Sequence, residues 1–389
     1  MNRTSTPRKG FALVAAITAI VVIGALITGI FFASTQEYRI GSNTLLQARA
    51  LTAAEYGLNV VLAQQGTVAP DSGWNPAWNN ALGTGQIVTR QYLPKDGSVD
   101  TLRVTRLDAK SFFVVSEGRA GVAGNSRAQA RRRVGALIRL VMPQINFLGA
   151  LTARGQARIG GSSFINGVDE PPPGWGCGPA GPALPGLAVS DNDSLTTSSC
   201  GGLSCVEGNP KVLETPAAAD TSTYFQFGET DWAQLVSAAT KIVPPSTLTG
   251  LGPRLNADGT CDAGHATNWG DPIKDVIPGA CENFYPIIYA TGDLSISGGV
   301  GQGILLVEGD LQVQGGAEFY GPVIVKGRLQ TTGTGGHFNG GVMAANVDFE
   351  QNTVLGNAVI QFSRCAIEKA INGSAQPSPA RGRSWVELY

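Results

Sequence analysis

The stretch from Phe11 to Ala33, "FALVAAITAIVVIGALITGIFFA", holds 23 residues and no charge. A bilayer core of about 30 Å is crossed by about 20 helical residues. A secretory apolar segment runs only about 7–15 residues and ends at a small-residue cleavage site, so this run reads as a span that is kept. Arg3, Arg8 and Lys9 precede it, with no acidic residue among the first ten. The positive-inside rule then leaves the N-terminus in the cytoplasm and the rest of the chain outside. The helical pattern continues past the lipid surface. No proline occurs between Pro7 and Pro70, and Leu51, Ala54, Leu58 and Val61 recur at steps of three and four. That is one helix face, extended backward by Leu45, Leu46 and Ala50. One helix of about 80 Å is predicted from about Phe11 to about Ala63, apolar all round in front and amphipathic behind.

The leader ending Arg8-Lys9-Gly10, the Phe11 that follows and the long helix together resemble the N-terminus of type IV pilin-like proteins. Within "LQARALTAAEYGLNVVL" (46–62), Ala53, Ala54, Glu55, Gly57 and Leu58 resemble the Ala-Ala-Glu-x-Gly-Leu stretch of PilX-type minor pilins. The resemblance covers about the first 65 residues, and the head that follows matches more loosely. It implies cleavage of the Gly10–Phe11 bond by a prepilin peptidase on the cytoplasmic face, with methylation of the new terminal Phe11. It also implies three partners: the inner membrane, that peptidase, and other pilin subunits. Ala15 departs from the pattern, because major pilins carry a Glu as the fifth mature residue. That carboxylate pairs with a neighbour's terminal amine, since an unpaired buried charge is costly. A subunit without it fits a tip better than a repeating shaft, and the tip-located K-type pseudopilins of type II secretion also lack it.

Charged residues are only 15% of the chain, 52 of its 389 residues are glycine, and the formal net charge is −1. A balance this mild argues against a dedicated nucleic-acid binder. Arg127, Arg131, Arg132 and Arg133 read as a solvated strand face and turn, without the aromatic interleaving of a strand-binding groove. The six cysteines, Cys177, Cys200, Cys205, Cys261, Cys281 and Cys365, all lie in the part expected outside the membrane. An even number there suits disulfides. Six cysteines allow 15 connectivities, among which Cys200–Cys205 and Cys261–Cys281 are the local pairs. Zinc at the C-x4-C of Cys200 and Cys205 is disfavoured, with no partner C-x-x-C and two histidines in the chain.

Residues 66–84 read as a Gly/Asn/Pro/Trp loop. "QIVTRQYL", "DTLRVTRL", "SFFVVSEG" and "RRRVGALIRLVM" read as strands separated by turns. In the last, Val134, Ala136, Ile138, Leu140 and Met142 share one face. An antiparallel sheet over 66–145 packed on the amphipathic helix stripe accounts for both patterns. Further on, "GDLSISGGVGQGILLVE" (292–308), "GDLQVQGGAEFYGPVIVK" (309–326), "GRLQTTGTGGHFNGGVMAA" (327–345) and "NVDFEQNTVLGNAVIQFS" (346–363) form a repeat whose starts fall 17, 18 and 19 residues apart. Short strands with glycine turns at such a period suggest a β-solenoid. "GQARIGGSSFINGVD" (155–169) reads as an earlier rung, which leaves 170–285 as a Pro-, Gly- and Cys-rich insertion stabilised by disulfides. Inside it "TDWAQLVSAATKIV" (230–243) has helical spacing and a capping start at Thr230. The helix "CAIEKAI" from Cys365 is placed over the open edge of the solenoid.

The expected class is therefore α+β, with a transmembrane and amphipathic helix packed on an antiparallel sheet and a β-solenoid-like domain after it. Its divisions are a leader (1–10), the helix (11–65, with 11–33 transmembrane), the antiparallel head (66–145), the solenoid-like domain (146–169 and 286–363), the insertion (170–285) and a C-terminal helix and tail (364–389).

No H-E-x-x-H, P-loop, G-x-S-x-G or C-x-x-C motif occurs. His265 and His337 sit in turn-rich segments. Asn256, Asp258 and Asp262 in "NADGTCD", like "SDNDS" (190–194), offer oxygen ligands for calcium, which K-type pseudopilins bind, but lack the full spacing and closing Glu; Asx turns use the same residues. Asp293, Glu308 and Asp310 fall at repeat starts, where stacking brings carboxylates together as glycoside-cleaving sites do; turn roles are the plainer reading. No cofactor and no catalysis are expected. The function that follows is a non-enzymatic minor pilin-like subunit of a type IV pilus or type II secretion filament, serving assembly, priming, tip display or adhesion. It would be anchored once in the inner membrane, with a periplasmic or surface-displayed head. The alternative is a membrane-tethered periplasmic β-solenoid protein that binds or cleaves glycans.

Overall fold

The structure, a computed structural model, describes residues 11–63, 85, 87–92, 99–108, 110–122, 125–191, 195–199, 201–273, 279–346, 352–380 and 385–388. A long apolar N-terminal helix leads into a large sheet-rich part with a curled parallel sheet.

Helix α1 runs unbroken over Phe11–Ala63. With no proline to remove a backbone bond, nothing in its sequence stops it. Thr18, Thr28, Thr44 and Thr52 each donate a hydroxyl to the carbonyl four residues earlier, at 2.7–3.1 Å. Their polarity is thus satisfied inside the helix, which suits an apolar environment. Residues 12–34 are exposed throughout, whereas Leu46, Ala50, Ala53, Ala54, Gly57 and Leu58 form a buried stripe.

Strands β1 (Ile87–Tyr92), β2 (Val99–Arg106), β3 (Ser111–Val122) and β4 (Asn125–Val141) pair antiparallel in sequence order. Period-2 alternation turns Leu102, Val104, Phe112, Val114, Val134, Ala136, Ile138 and Leu140 to one face, where they pack with Ala54 and Leu58 of α1. Gly118 sets how close helix and sheet come. A Cβ there would lie well inside contact distance of the Ala50 carbonyl oxygen and the Ala54 amide. The C-terminal tail belongs to this sheet: Gln376–Pro379 and Trp385–Leu388 both pair antiparallel with β4, from Gln376↔Val141 to Leu388↔Arg133.

The curled sheet is parallel and runs in three lines of strands. The first line goes from Lys241–Val243 through Ile287–Ala290, Ile304–Val307 and the ends of Ala317–Val325 and Gly336–Ala344 to Leu151–Ala153, Leu187–Val189 and Val212–Glu214. The second goes from Ser246–Leu251 through the start of Leu294–Gln302, then Leu311–Gln314, Leu329–Thr331, Asn352–Val354 and Ala157–Gly160 to Leu195–Ser198. The third links the end of Leu294–Gln302 through Ala317–Val325, Gly336–Ala344, Val359–Phe362 and Phe164–Asn166 to Val206–Glu207. Inward side chains such as Leu151, Ile159, Ile165, Leu187, Ile288 and Leu305 join one core.

The repeat start "Gly-Asp-Leu" has a physical reason. The Asp293 carboxylate accepts the amide of Asp310 at 2.8 Å, and that of Asp310 accepts the amide of Arg328 at 3.0 Å. A Cβ on Gly309 or Gly327 would collide with those carboxylates. The repeats at 309 and 327 therefore open with glycine because the aspartate of the repeat before fills the space; Gly292 stands over Pro245 instead, and the fourth repeat opens with Asn346.

Three expectations are corrected. Residues 170–285 are not one insertion between repeats. The strands Leu187–Val189, Leu195–Ser198, Val206–Glu207 and Val212–Glu214 extend one end of the curled sheet, and Lys241–Val243 and Ser246–Leu251 form the other. The intervening segment instead covers one flank, where Tyr224, Phe227 and Leu235 pack on Ile287, Ile304, Leu306 and Ile324. Second, the helix in "TDWAQLVSAATKIV" is short, Trp232–Ser237, and its cap is Asp231. Asp231 and Gln234 stand three apart and close a reciprocal capping box, while Thr230 lies in a two-residue strand. Third, helix Arg364–Gly373 covers no open edge. It lies on the flank of Ala317–Val325 and Gly336–Ala344, with Ala366, Ile367 and Ala370 buried, because its apolar residues form one face and need an apolar partner.

Candidate functional site

The residues with functional signals fall into three groups. The first is α1. Leu13, Ile20, Ile30 and Phe31 are each 67–71% exposed, so the front half is a bare apolar cylinder. By length and hydropathy it is one helix able to cross a membrane. Gly10 lies outside the described residues, and Phe11 is the first residue of α1. Ala15 is on the exposed part, so no carboxylate stands at that position. Glu55, from the Ala-Ala-Glu stretch, faces solvent while Ala53, Ala54, Gly57 and Leu58 face the sheet. That stretch places its small residues where a strand must come close.

The second group is the arginine cluster on the sheet. Glu117 is 9% exposed and is held by Arg119 at 2.7 Å, Arg133 at 2.8 Å and Arg131. Burial pushes its carboxyl up, but the hydrogen bonds and charges of Arg133 and Arg119 outweigh this and hold it below the usual carboxylate range. Arg132 points to the other side of β4. It binds Glu387 of the tail at 2.9 Å and Gln47 of α1 at 2.9 Å, joining tail, sheet and helix. The Arg127 side chain lies outside the described residues. Sequence reasoning singled out the arginines but not Glu117 or Glu387; the alternation that puts Glu117, Arg131 and Arg133 on one face was the available signal.

The third group is the set of cysteines and oxygen ligands of the curled-sheet part. Cys177 is bonded to Cys365, with Cα atoms 6.0 Å apart at a sequence separation of 188. This ties the loop before Leu187–Val189 to the C-terminal helix. Cys261 is bonded to Cys281, with Cα atoms 5.1 Å apart. Cys205 is also disulfide-bonded, and Cys200 lies outside the described residues. Disulfides fit an oxidising compartment. Asn256 donates to the Thr260 hydroxyl at 2.9 Å, Asp258 accepts the Thr260 amide at 3.0 Å, and Asp262 accepts the amides of Gly264 and His265 at 3.0 and 3.1 Å. These three residues serve their own turns. Part of "SDNDS" (192–194) lies outside the described residues. Among the described residues no group of three or more His, Cys, Asp or Glu converges as a metal site. His265 Nδ1 accepts from the Thr267 amide at 3.3 Å, and His337 Nδ1 lies 3.9 Å from Glu318. Asp293 and Asp310 cap successive turns, Asp310 also binds Arg328 at 2.7 Å, and Glu308 pairs with Lys326. Stacking thus brings the repeat-start carboxylates together, but each is engaged in holding its turn.

No protein-family model and no curated protein matches the chain. A solved structure similar to it is the competence-associated pilin ComZ from Thermus thermophilus, at 12% identity over 88% of this chain and 96% of that one, with a TM-score of 0.22. At that TM-score the likeness carries no argument about this chain.

Proposed function

We propose that this chain is a non-enzymatic minor pilin-like subunit of PilX type. The supporting observation is that one uninterrupted helix serves two environments. Its front half is bare and apolar, and its back half is docked on a sheet through a stripe of small residues. An ordinary anchor has no reason to continue as the core of the head. In this reading the helix holds the subunit in the inner membrane, a prepilin peptidase removes residues 1–10, and Phe11 becomes the mature terminus. The helix then packs among other subunits. Ala15 favours a place at the tip over the shaft, because no carboxylate is available there for a neighbour's amine. The curled parallel sheet, read as β-solenoid-like, is the displayed head. The engagement of Asp293, Glu308 and Asp310 in turns and ion pairs supports a head without catalysis.

The test is the intact mass and N-terminal peptide of the protein expressed with and without a prepilin peptidase. A chain beginning at methylated Phe11, blocked by Gly10→Val, is the expected result. An unprocessed leader in both strains would sink the filament reading and leave a tethered domain to be screened against glycans.

A further inference from the structure

The covered flank of the curled sheet ends in a rim of aromatic and polar side chains. Ile242, Tyr289 and Leu306 stand in register on three neighbouring strands and share the face of that flank. Leu306 is buried, whereas Ile242 is 69% exposed and Tyr289 is half-buried. The covering segment adds Phe225 and Trp232, both half-buried. The Trp232 ring meets those of Phe225 and Tyr289 edge to face, with centroids 5.6 and 6.5 Å apart. Polar groups stand among these rings. Tyr289 donates its hydroxyl to Glu308 at 3.2 Å. Burial and the Glu308 carboxylate push this phenol up, so it stays a donor. Lys326 pairs with the other oxygen of Glu308, and its ammonium lies 5.8 Å from the centre of the Trp232 ring. The Trp232 indole N–H reaches solvent, with no acceptor among the described residues.

We propose that this rim binds a neutral glycan carrying acetamido groups. Glu308 and Lys326 cancel in charge, so the site selects neither an anion nor a cation. Aromatic faces are electron-rich and attract the weakly positive C–H groups on the flat side of a sugar ring. Around them stand a carboxylate with lone pairs to spare, an ammonium and an indole N–H, the few placed polar groups that fix a ligand's orientation. The acetamido N–H donates to Glu308, its carbonyl accepts from the Trp232 indole, and its methyl lies on Ile242 and Tyr289. An acidic peptide or a nucleic acid would meet the Glu308 carboxylate. A purely apolar partner would strip water from Glu308 and Lys326 without replacing it. The inference goes beyond the filament reading and does not depend on it: leader processing can fail while the glycan still binds.

The experiment is a calorimetric titration of the full chain, held in a detergent without a sugar headgroup. The probes are chitohexaose and cellohexaose, which lacks the acetamido groups. Chitohexaose is expected to bind with an affinity that hardly changes with salt. Cellohexaose should bind about fivefold more weakly, for want of the bond to Glu308. Trp232→Ala removes both a ring and a donor and should weaken chitohexaose about tenfold or more. Glu308→Gln keeps the shape of the side chain and should weaken it about fivefold. Ile242→Asp, at an exposed position, should weaken binding without moving the unfolding midpoint, which separates loss of the site from loss of the fold. No binding of chitohexaose, equal binding of cellohexaose, a steep fall in affinity with salt, or indifference to both Glu308→Gln and Ile242→Asp would each overturn the proposal.

Discussion

The two sheets solve the same problem in opposite ways. In the first sheet β1 to β4 pair in the order in which they are made, and a single helix covers one face. In the curled sheet the two ends of the domain's chain meet in the middle. The segment 151–166 lies between the repeat that ends at Phe362 and the strands Leu187–Val189 and Leu195–Ser198. The seam is side chain as well as backbone: the Ser163 hydroxyl donates to the Val354 carbonyl 191 residues away. Such contacts must wait until a long loop has closed, whereas the first sheet forms through short turns. A domain closed in this way stands or falls as one, and the first sheet is joined to it chiefly by the chain running in at residue 142 and by the tail running back out along β4.

The sharpest way to break that comparison is a lesion at the seam. Ile360 is fully buried and pairs with both Phe338 and Ile165. Ile360→Asp puts an unpaired carboxylate there, at a cost of more than about 4 kcal/mol. Amide hydrogen exchange should show lost protection in 151–166 and in 287–344 alike, with β2 to β4 still protected. Loss across β2 to β4 as well would make the two sheets a single cooperative unit.

The reverse lesion is Gly118→Val, which forces α1 off β3 and should cost about 2–3 kcal/mol. Exchange should rise in β2 to β4 and stay unchanged in the curled sheet; equal loss in both would again merge the regions. The smallest effect is expected for Glu117→Gln, about 1 kcal/mol at neutral pH, because its arginine partners are 40–55% exposed and screened by solvent. Glu117 has its carboxyl lowered in the folded state. Its stabilising contribution is therefore present above the ordinary carboxylate pKa and fades as pH falls through the lowered value. Unfolding midpoints of wild type and variant should converge in acid; a gap that persists would show that the ion cluster does not act through this carboxylate.

Much of the local structure was legible in residues. The absence of proline from 8 to 69 gave the length of α1, and the spacing of Leu46, Ala50, Ala54 and Leu58 gave most of its buried stripe, although Leu45, assigned to the same face, is exposed and Leu51 is half-buried. The alternation of Val134, Ala136, Ile138 and Leu140 gave the inward face of β4. What misled was proximity. The repeat at 292–363 was plain, so the irregular chain before it read as an insertion. Yet Leu187–Val189 and Val212–Glu214 carry the same short aliphatic strands without the glycine-aspartate turn that marks a repeat. At the candidate assembly surface, the helix was visible in sequence, while the pairing of Arg131 and Arg133 with Glu117, and of Arg132 with Glu387, was not, because Glu387 reaches β4 from the far end of the chain.

The sequence by itself determined what depends on neighbours a few residues apart: the long helix and the strand periodicity. Only the tertiary structure decided which strand lies beside which. Parallel pairing leaves no turn in the sequence to announce it, and neither does the antiparallel pairing of a distant tail, so the placement of 151–166 against the last repeats, the bond from Cys177 to Cys365 and the return of the tail along β4 all follow from how apolar faces find cover once the chain has closed.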